Sequence, residues 1–157
     1  MRIAGVVFIL VTVLSAIVSI FWYQEIQYLL PTPVPKEYRV VLPNQVIKFD
    51  SALLPQEYAK PKLLHFFSPD CPCSRFNLKH FLSLNKKYGN LADFYVVIAK
   101  REDVTSAEYM IEKAVPIIVD KNERLAKACG VYSTPQAALI QSNNKLYFRG
   151  NYNRSRF

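Results

Sequence analysis

Apolar and polar positions divide the chain into two regimes. Residues 3–24 carry no charge and are almost all apolar, whereas from about residue 44 short apolar runs alternate with polar breaks. The first regime predicts one unbroken helix. At about 1.5 Å per residue it reaches about 30 Å, the thickness of a bilayer's hydrocarbon core. Phe21, Trp22 and Tyr23 close the run as an interfacial aromatic belt does. It is too long for a signal h-region and lacks a small-x-small site with a polar flank. Residues 1–24 are therefore expected to be an uncleaved anchor that meets the membrane through residues 3–23.

The second regime reads as alternating strands and helices. Leu63 to Phe67 is a buried strand, and Cys73 to Lys87 a helix with Phe76, Leu78, Phe81, Leu82 and Leu84 on its apolar face. Tyr88-Gly89-Asn90 stops that helix. Asp93 to Ala99 is a second strand, Ser106 to Lys113 a short helix, and Val115 to Val119 a short strand. Asn122 to Cys129 is a helix closed by Gly130. Ala137 to Gln141 and Lys145 to Arg149 flank Ser142-Asn143-Asn144 as a hairpin. Helices between strands imply parallel pairing and the hairpin adds an antiparallel edge, so the fold class is α/β, a mixed sheet flanked by helices. Pro31, Pro33 and Pro35 favour extended backbone. The predicted organisation is an anchor over 1–24, a Pro-rich linker over 25–43 and a domain over 44–157.

Charge narrows the location and the partners. Arg2 and the amino terminus precede the apolar run and Glu25 is the first charge after it. The positive-inside rule then puts the amino terminus in the cytoplasm and the domain outside. Lys36 and Arg39 reduce that asymmetry. In a bacterium this means a single pass of the inner membrane with the domain in the periplasm. The chain of 157 residues has a net charge of +8. Its basic residues are scattered, with no run longer than Lys86-Lys87 or Lys100-Arg101. A nucleic-acid partner is therefore not expected.

Three cysteines, an odd number, point to reactive sulfur in an exported domain more than to a disulfide framework. Cys71 and Cys73 lie where a strand runs into a helix. A helix N-terminus carries about half a positive charge, and a thiol there loses its proton readily. Pro69, Asp70 and Pro72 make an exposed turn and argue against two inert core thiols. His65 lies six residues before Cys71. It is either a satisfied core histidine or a group that exchanges protons near pH 7. His80 reads as a surface residue and Cys129 as a buried inert thiol.

Phe66-Phe67-Ser68-Pro69-Asp70-Cys71-Pro72-Cys73-Ser74-Arg75 resembles the active-site segment of thioredoxin-like proteins, and Gly130 to Pro135 resembles their cis-proline loop. The resemblance covers residues 44–150 and is nearest to membrane-anchored bacterial redoxins. It implies a thioredoxin-like fold, with Cys71 as nucleophile and Thr134, a cis Pro135 and Pro72 facing the substrate. It also places His65 where those proteins hold a buried acid, and Ser74 where they hold the resolving cysteine. Two mechanisms remain open. In one, Cys73 resolves the mixed disulfide; positions i and i+2 of a helix do not face each other, so that bond is strained and oxidising. In the other, Cys71 is a monothiol, Ser74 hydrogen-bonds its thiolate and an external thiol resolves. Such domains usually end in a helix, but only residues 151–157 follow Gly150. That helix is expected to be missing, or the chain to be truncated.

The implied function is thiol–disulfide oxidoreduction on exported thiol- or disulfide-containing proteins, by a monomer without cofactor or metal. The alternative is a copper(I) chaperone using Cys71 and Cys73 as soft ligands. It resembles known copper-delivery factors less well, because no histidine follows His80. A peroxidase and a non-catalytic interaction module rank lower.

Overall fold

The structure is a computed structural model and describes residues 2–26, 33–49, 53–54 and 60–152. The chain forms two compact units, Met1–Pro33 and Val34–Phe157. In the first, helix α1 (Arg2–Phe21) runs into a π-helical turn over Trp22–Ile26. Its apolar stretch Ile3–Gln24 has a mean hydropathy of 2.8, and none of it is buried. Hydroxyls in a bilayer need internal partners. Thr12 and Ser19 donate theirs to the carbonyls of Phe8 and Ser15 at 2.9 and 2.8 Å. The helix is long and apolar enough to cross a membrane.

The second unit is built on a five-stranded sheet. Its strands are β1 (Lys62–Phe66), β2 (Asp93–Ile98), β3 (Ile117–Val119), β4 (Gln136–Ile140) and β5 (Leu146–Gly150), in the order β3-β2-β1-β4-β5. β1, β2 and β3 pair in parallel, and β4 and β5 close the sheet antiparallel. The connections carry α2 (Pro72–Tyr88), α3 (Val104–Met110) and α4 (Arg124–Cys129). Alternate side chains of a strand point to opposite faces, and β1 separates two cores this way. Leu64 and Phe66 join Val97, Leu125, Cys129 and Ala138 in one cluster. Phe67 joins Leu78, Phe81, Phe94 and Ala107 in the other.

The sequence places the strands within a residue or two of these bounds but misplaces two helix starts. The helix expected from Ser106 begins at Val104, after a 3-10 turn over Arg101–Asp103. The helix expected from Asn122 begins at Arg124, because Asn122 and Glu123 are both left-handed, with φ of 62° and 56°. Asp120 governs that start. Its carboxylate accepts the N–H groups of Leu125 and Ala126 at 2.9 and 2.8 Å.

The compact unit starts at Val34, whereas the sequence predicts a linker through residue 43. Tyr38 donates its hydroxyl to the Gly130 carbonyl at 2.9 Å, and its ring centroid lies 4.8 Å from that of Tyr132. The segment 44–47 then pairs with the hairpin, through Asn44 N–H to Leu146 O and Ile47 N–H to Asn144 O. Part of the expected linker therefore forms a strap on the domain. Residues 27–32 of that linker, and residues 153–157 where a last helix bears on the expectation, lie outside the described residues. Among the described residues no helix follows β5.

Candidate active site

β1 extends one residue past its end, where Phe67 N–H donates to Val97 O at 2.9 Å. A tight turn follows, closed by Cys71 N–H to Ser68 O at 3.1 Å. Cys71 is extended (φ −88°, ψ 116°) and is the N-cap of α2, with Pro72 just inside the helix. Proline suits that position because its missing N–H would be unpaired there anyway. The Cys71 carbonyl accepts Ser74 N–H and Arg75 N–H at 3.0 and 3.2 Å. The Cys71 thiol is thus half-buried at the positive end of a 17-residue helix, and no acid in the first turn offsets the dipole.

The helix expected from Cys73 starts one residue earlier, at Pro72, and leaves Cys71 outside it as the N-cap. Cys71 stands before the first turn, and Cys73 is buried within it. The argument from helical spacing for a strained pair therefore does not apply. Among the described residues no disulfide joins Cys71, Cys73 or Cys129. Ser74 is fully buried and accepts Ser68 N–H on its hydroxyl at 3.3 Å. Asn77 lies one turn on and donates to the Cys73 carbonyl at 3.1 Å.

The second loop of the site comes from the neighbouring strand. β4 starts at Gln136 opposite Phe66, so the loop before β4 and the turn after β1 leave the same end of the sheet. That loop holds Thr134 and Pro135, joined by a cis peptide bond; Thr134 is exposed and Pro135 half-buried. Topology thereby gathers Cys71, Pro72 and Thr134-Pro135 at one end of the sheet.

His65 lies deeper, on β1 opposite Val96 and Ala137. It stacks on Phe81 with ring centroids 4.7 Å apart, and its Nδ1 is 2.7 Å from the Tyr152 hydroxyl. Burial pushes its pKa down to about 3, so the ring is neutral and does not exchange protons near pH 7. Of the two readings that the sequence leaves open, this favours the core histidine over the proton-exchanging group, and the cause is desolvation. Its Nε2 is buried without a partner among the described residues. Burial also raises the pKa of Tyr152. Nothing in the sequence points to Tyr152, which lies 87 residues from its partner. His80 is exposed, and the Tyr152 ring lies edge-on to it at 6.0 Å. Cys129 is fully buried; desolvation, aided by Asp120, pushes its thiol up to about 12, so it is inert. Among the described residues no cluster of three or more His, Cys, Asp or Glu side chains is placed to hold a metal ion.

This sheet order, with a cysteine turn at a helix start and a cis X-Pro loop beside it, defines a thioredoxin-like fold. Solved structures agree. A hypothetical protein from Sinorhizobium meliloti 1021 is 17% identical, with a TM-score of 0.62 and 75% of each chain covered. A secreted Mycobacterium tuberculosis disulfide oxidoreductase is 17% identical at TM-score 0.52, covering 68% of this chain and 78% of its own. The exposed lipoprotein thioredoxin of Streptococcus pneumoniae is 20% identical at TM-score 0.55, covering 64% and 80%. At these identities the likeness is one of fold. No curated protein matches the chain. The chain belongs to the family described as a domain of unknown function (DUF6436), which matches residues 41–157.

Proposed function

We propose that this protein is a membrane-tethered thiol–disulfide oxidoreductase with Cys71 as its nucleophile. The observation that carries the reading is the half-buried Cys71 thiol at the N-cap of α2, at the sheet end that also holds the cis Thr134-Pro135 bond. The Cys71 thiolate attacks one sulfur of a substrate disulfide, forming a mixed disulfide and releasing the other substrate thiolate. Cys73 then attacks the Cys71 sulfur, which frees the second substrate thiolate and leaves Cys71 and Cys73 joined. Run backwards, the same exchange oxidises a dithiol. No cofactor enters either direction. Thr134, Pro135 and Pro72 face the substrate, while the buried, neutral His65 carries no proton in the exchange and only packs behind the site. The burial of Cys73 favours a second reading, in which an external thiol resolves and Ser74 supports the Cys71 sulfur. The structural neighbours support the chemistry, since two of them are named as a disulfide oxidoreductase and a thioredoxin.

Residues 1–24 anchor the chain in a bacterial inner membrane, with the domain acting as a monomer on exported proteins in the periplasm. The test uses the reduced full chain in detergent micelles with an aromatic disulfide reporter. Wild type should release the reporter thiol and Cys71→Ser should not. Cys73→Ser should stop at a stable mixed disulfide. Reporter release by Cys71→Ser at the wild-type rate overturns the proposal.

A further inference from the structure

A cavity of about 750 Å³ opens where β1 and β2 end, and no step of the exchange chemistry uses it. Its floor is apolar, made by Phe66, Phe67, Val97 and Ile98. Two features tie it to the reactive turn. Ser68, whose carbonyl accepts Cys71 N–H, lines it, and so does Thr134 next to Pro135.

The strap forms another of its walls, and that wall is held in place. Tyr38 N–H donates to Pro35 O at 3.0 Å, its hydroxyl is fixed on Gly130, and the Arg149 guanidinium lies 5.9 Å from its ring centroid. Gly130 admits the strap: a Cβ there would stand 3.1 Å from the Val41 side chain. The rim at the start of α4 includes Glu123, one of two successive left-handed residues that are not glycine. Such backbone is strained and concentrates at functional sites.

The lining chemistry selects the occupant. Arg39, Lys100 and Lys127 are offset by Glu37, Asp103 and Glu123, so the rim has no field of one sign. Asp120 also lines the cavity, but both its carboxylate oxygens are taken up by backbone N–H groups. A polyanion such as a nucleotide or a lipid headgroup has no basic cluster to bind here. The volume lies within the about 300–1,000 Å³ of ligand sites and exceeds one side chain. A stretch of polypeptide with an apolar side chain suits this floor and this mixed rim.

We infer that the cavity is a specificity pocket for a large apolar or aromatic side chain flanking the reacting cysteine of a partner polypeptide. The inference rests on the redox reading of Cys71 and names its substrate class. The Cys71 thiolate attacks the partner cysteine's sulfur in its disulfide and releases the other sulfur as a thiolate, while a neighbouring side chain lies on the apolar floor of the pocket.

The test uses the reduced full chain in micelles and peptides carrying one cysteine as a mixed disulfide with an aromatic thiol reporter. In one set Phe walks along the positions on either side of the cysteine; the control peptide has Gly throughout. Burying an aromatic ring should make the best Phe peptide react about tenfold or more faster than the Gly peptide. Ala99 is exposed and lines the cavity, so Ala99→Trp places a bulky ring at its wall and narrows it. That variant should lose the preference while reacting normally with a small non-peptide disulfide. A second measurement does not depend on the variant folding. The best Phe peptide with Ser in place of Cys should shift the amide resonances of Lys100 and Lys127 in the wild-type chain. Equal rates for Phe and Gly peptides, a preference that survives Ala99→Trp, or no amide shifts would overturn the inference. If wild type reacts with every disulfide alike, the pocket assignment falls and the redox reading stands. If it reacts with none, both fall.

Discussion

Acid should destabilise this domain through His65. The ring is fully buried among Phe81, Phe67 and Tyr152, with centroids 4.7, 5.7 and 5.2 Å away. Burial lowers its pKa from 6.5 to about 3. Unfolding returns the imidazole to water, where it binds a proton at about pH 6.5. Between the two values the unfolded chain holds more protons than the folded one. The neutral ring's contribution is therefore complete above about pH 6.5 and is lost as pH falls toward 3. One pH unit corresponds to about 1.4 kcal/mol at full slope, and with the unfolded ring half protonated at pH 6.5 the loss between pH 6.5 and 4.5 is about 2 kcal/mol. That is a large share of a typical net stability of about 5–15 kcal/mol. His65→Leu has no proton to take up; it gives up the stacking on Phe81 and leaves the Tyr152 hydroxyl without this partner, a loss of about 1–3 kcal/mol that is the same at every pH in this range. Urea unfolding of the full chain in micelles, followed by near-ultraviolet circular dichroism from pH 4.5 to 7.5, compares the two. Carboxylates act equally in both, so the difference isolates the ring. Wild type should lose about 2 kcal/mol more than the variant between pH 6.5 and 4.5. Parallel curves would refute the argument from burial.

The remaining predictions concern packing and reactivity. Asp120→Ala leaves the N–H groups of Leu125 and Ala126 without their acceptor. It should reduce unfolding stability by about 2–4 kcal/mol, read from the urea midpoint. Gly130→Ala forces a side chain onto a backbone with φ of 71° and against Val41. The expected loss is about 1–2 kcal/mol, with faster protease cleavage in residues 34–43 as the strap loosens. Because His65 is neutral from about pH 3 upward, thiol reactivity in wild type and His65→Leu should share one pH profile between pH 5 and 8, with no histidine inflection.

The strands were legible because each is a short apolar run bounded by turn residues, and α2 because its apolar face repeats and stops at Tyr88-Gly89-Asn90. The start of α2 was legible too, since Pro72 fits the first helical position and so places Cys71 on the cap. What stayed hidden rests on distant contacts. Tyr38 meets Gly130 across 92 residues and Tyr152 meets His65 across 87, and no local pattern encodes either pairing. The protonation of His65 was hidden for a related reason. A histidine on a strand reads the same whether half-exposed or sealed, and only the packing of Phe81 and Tyr152 sets its desolvation. Likewise Ser106 resembles a helix start, but the chain turns earlier, at Arg101–Asp103.

The most direct test of Cys71 as nucleophile is the site of first attack. The reduced full chain in micelles is mixed with less than one equivalent of an aromatic disulfide, quenched with acid within seconds, digested and mapped by mass spectrometry. The first adduct should sit on Cys71, with none on the sealed Cys129. A first adduct on Cys73 or Cys129, or labelling spread evenly over the three cysteines, would contradict the account.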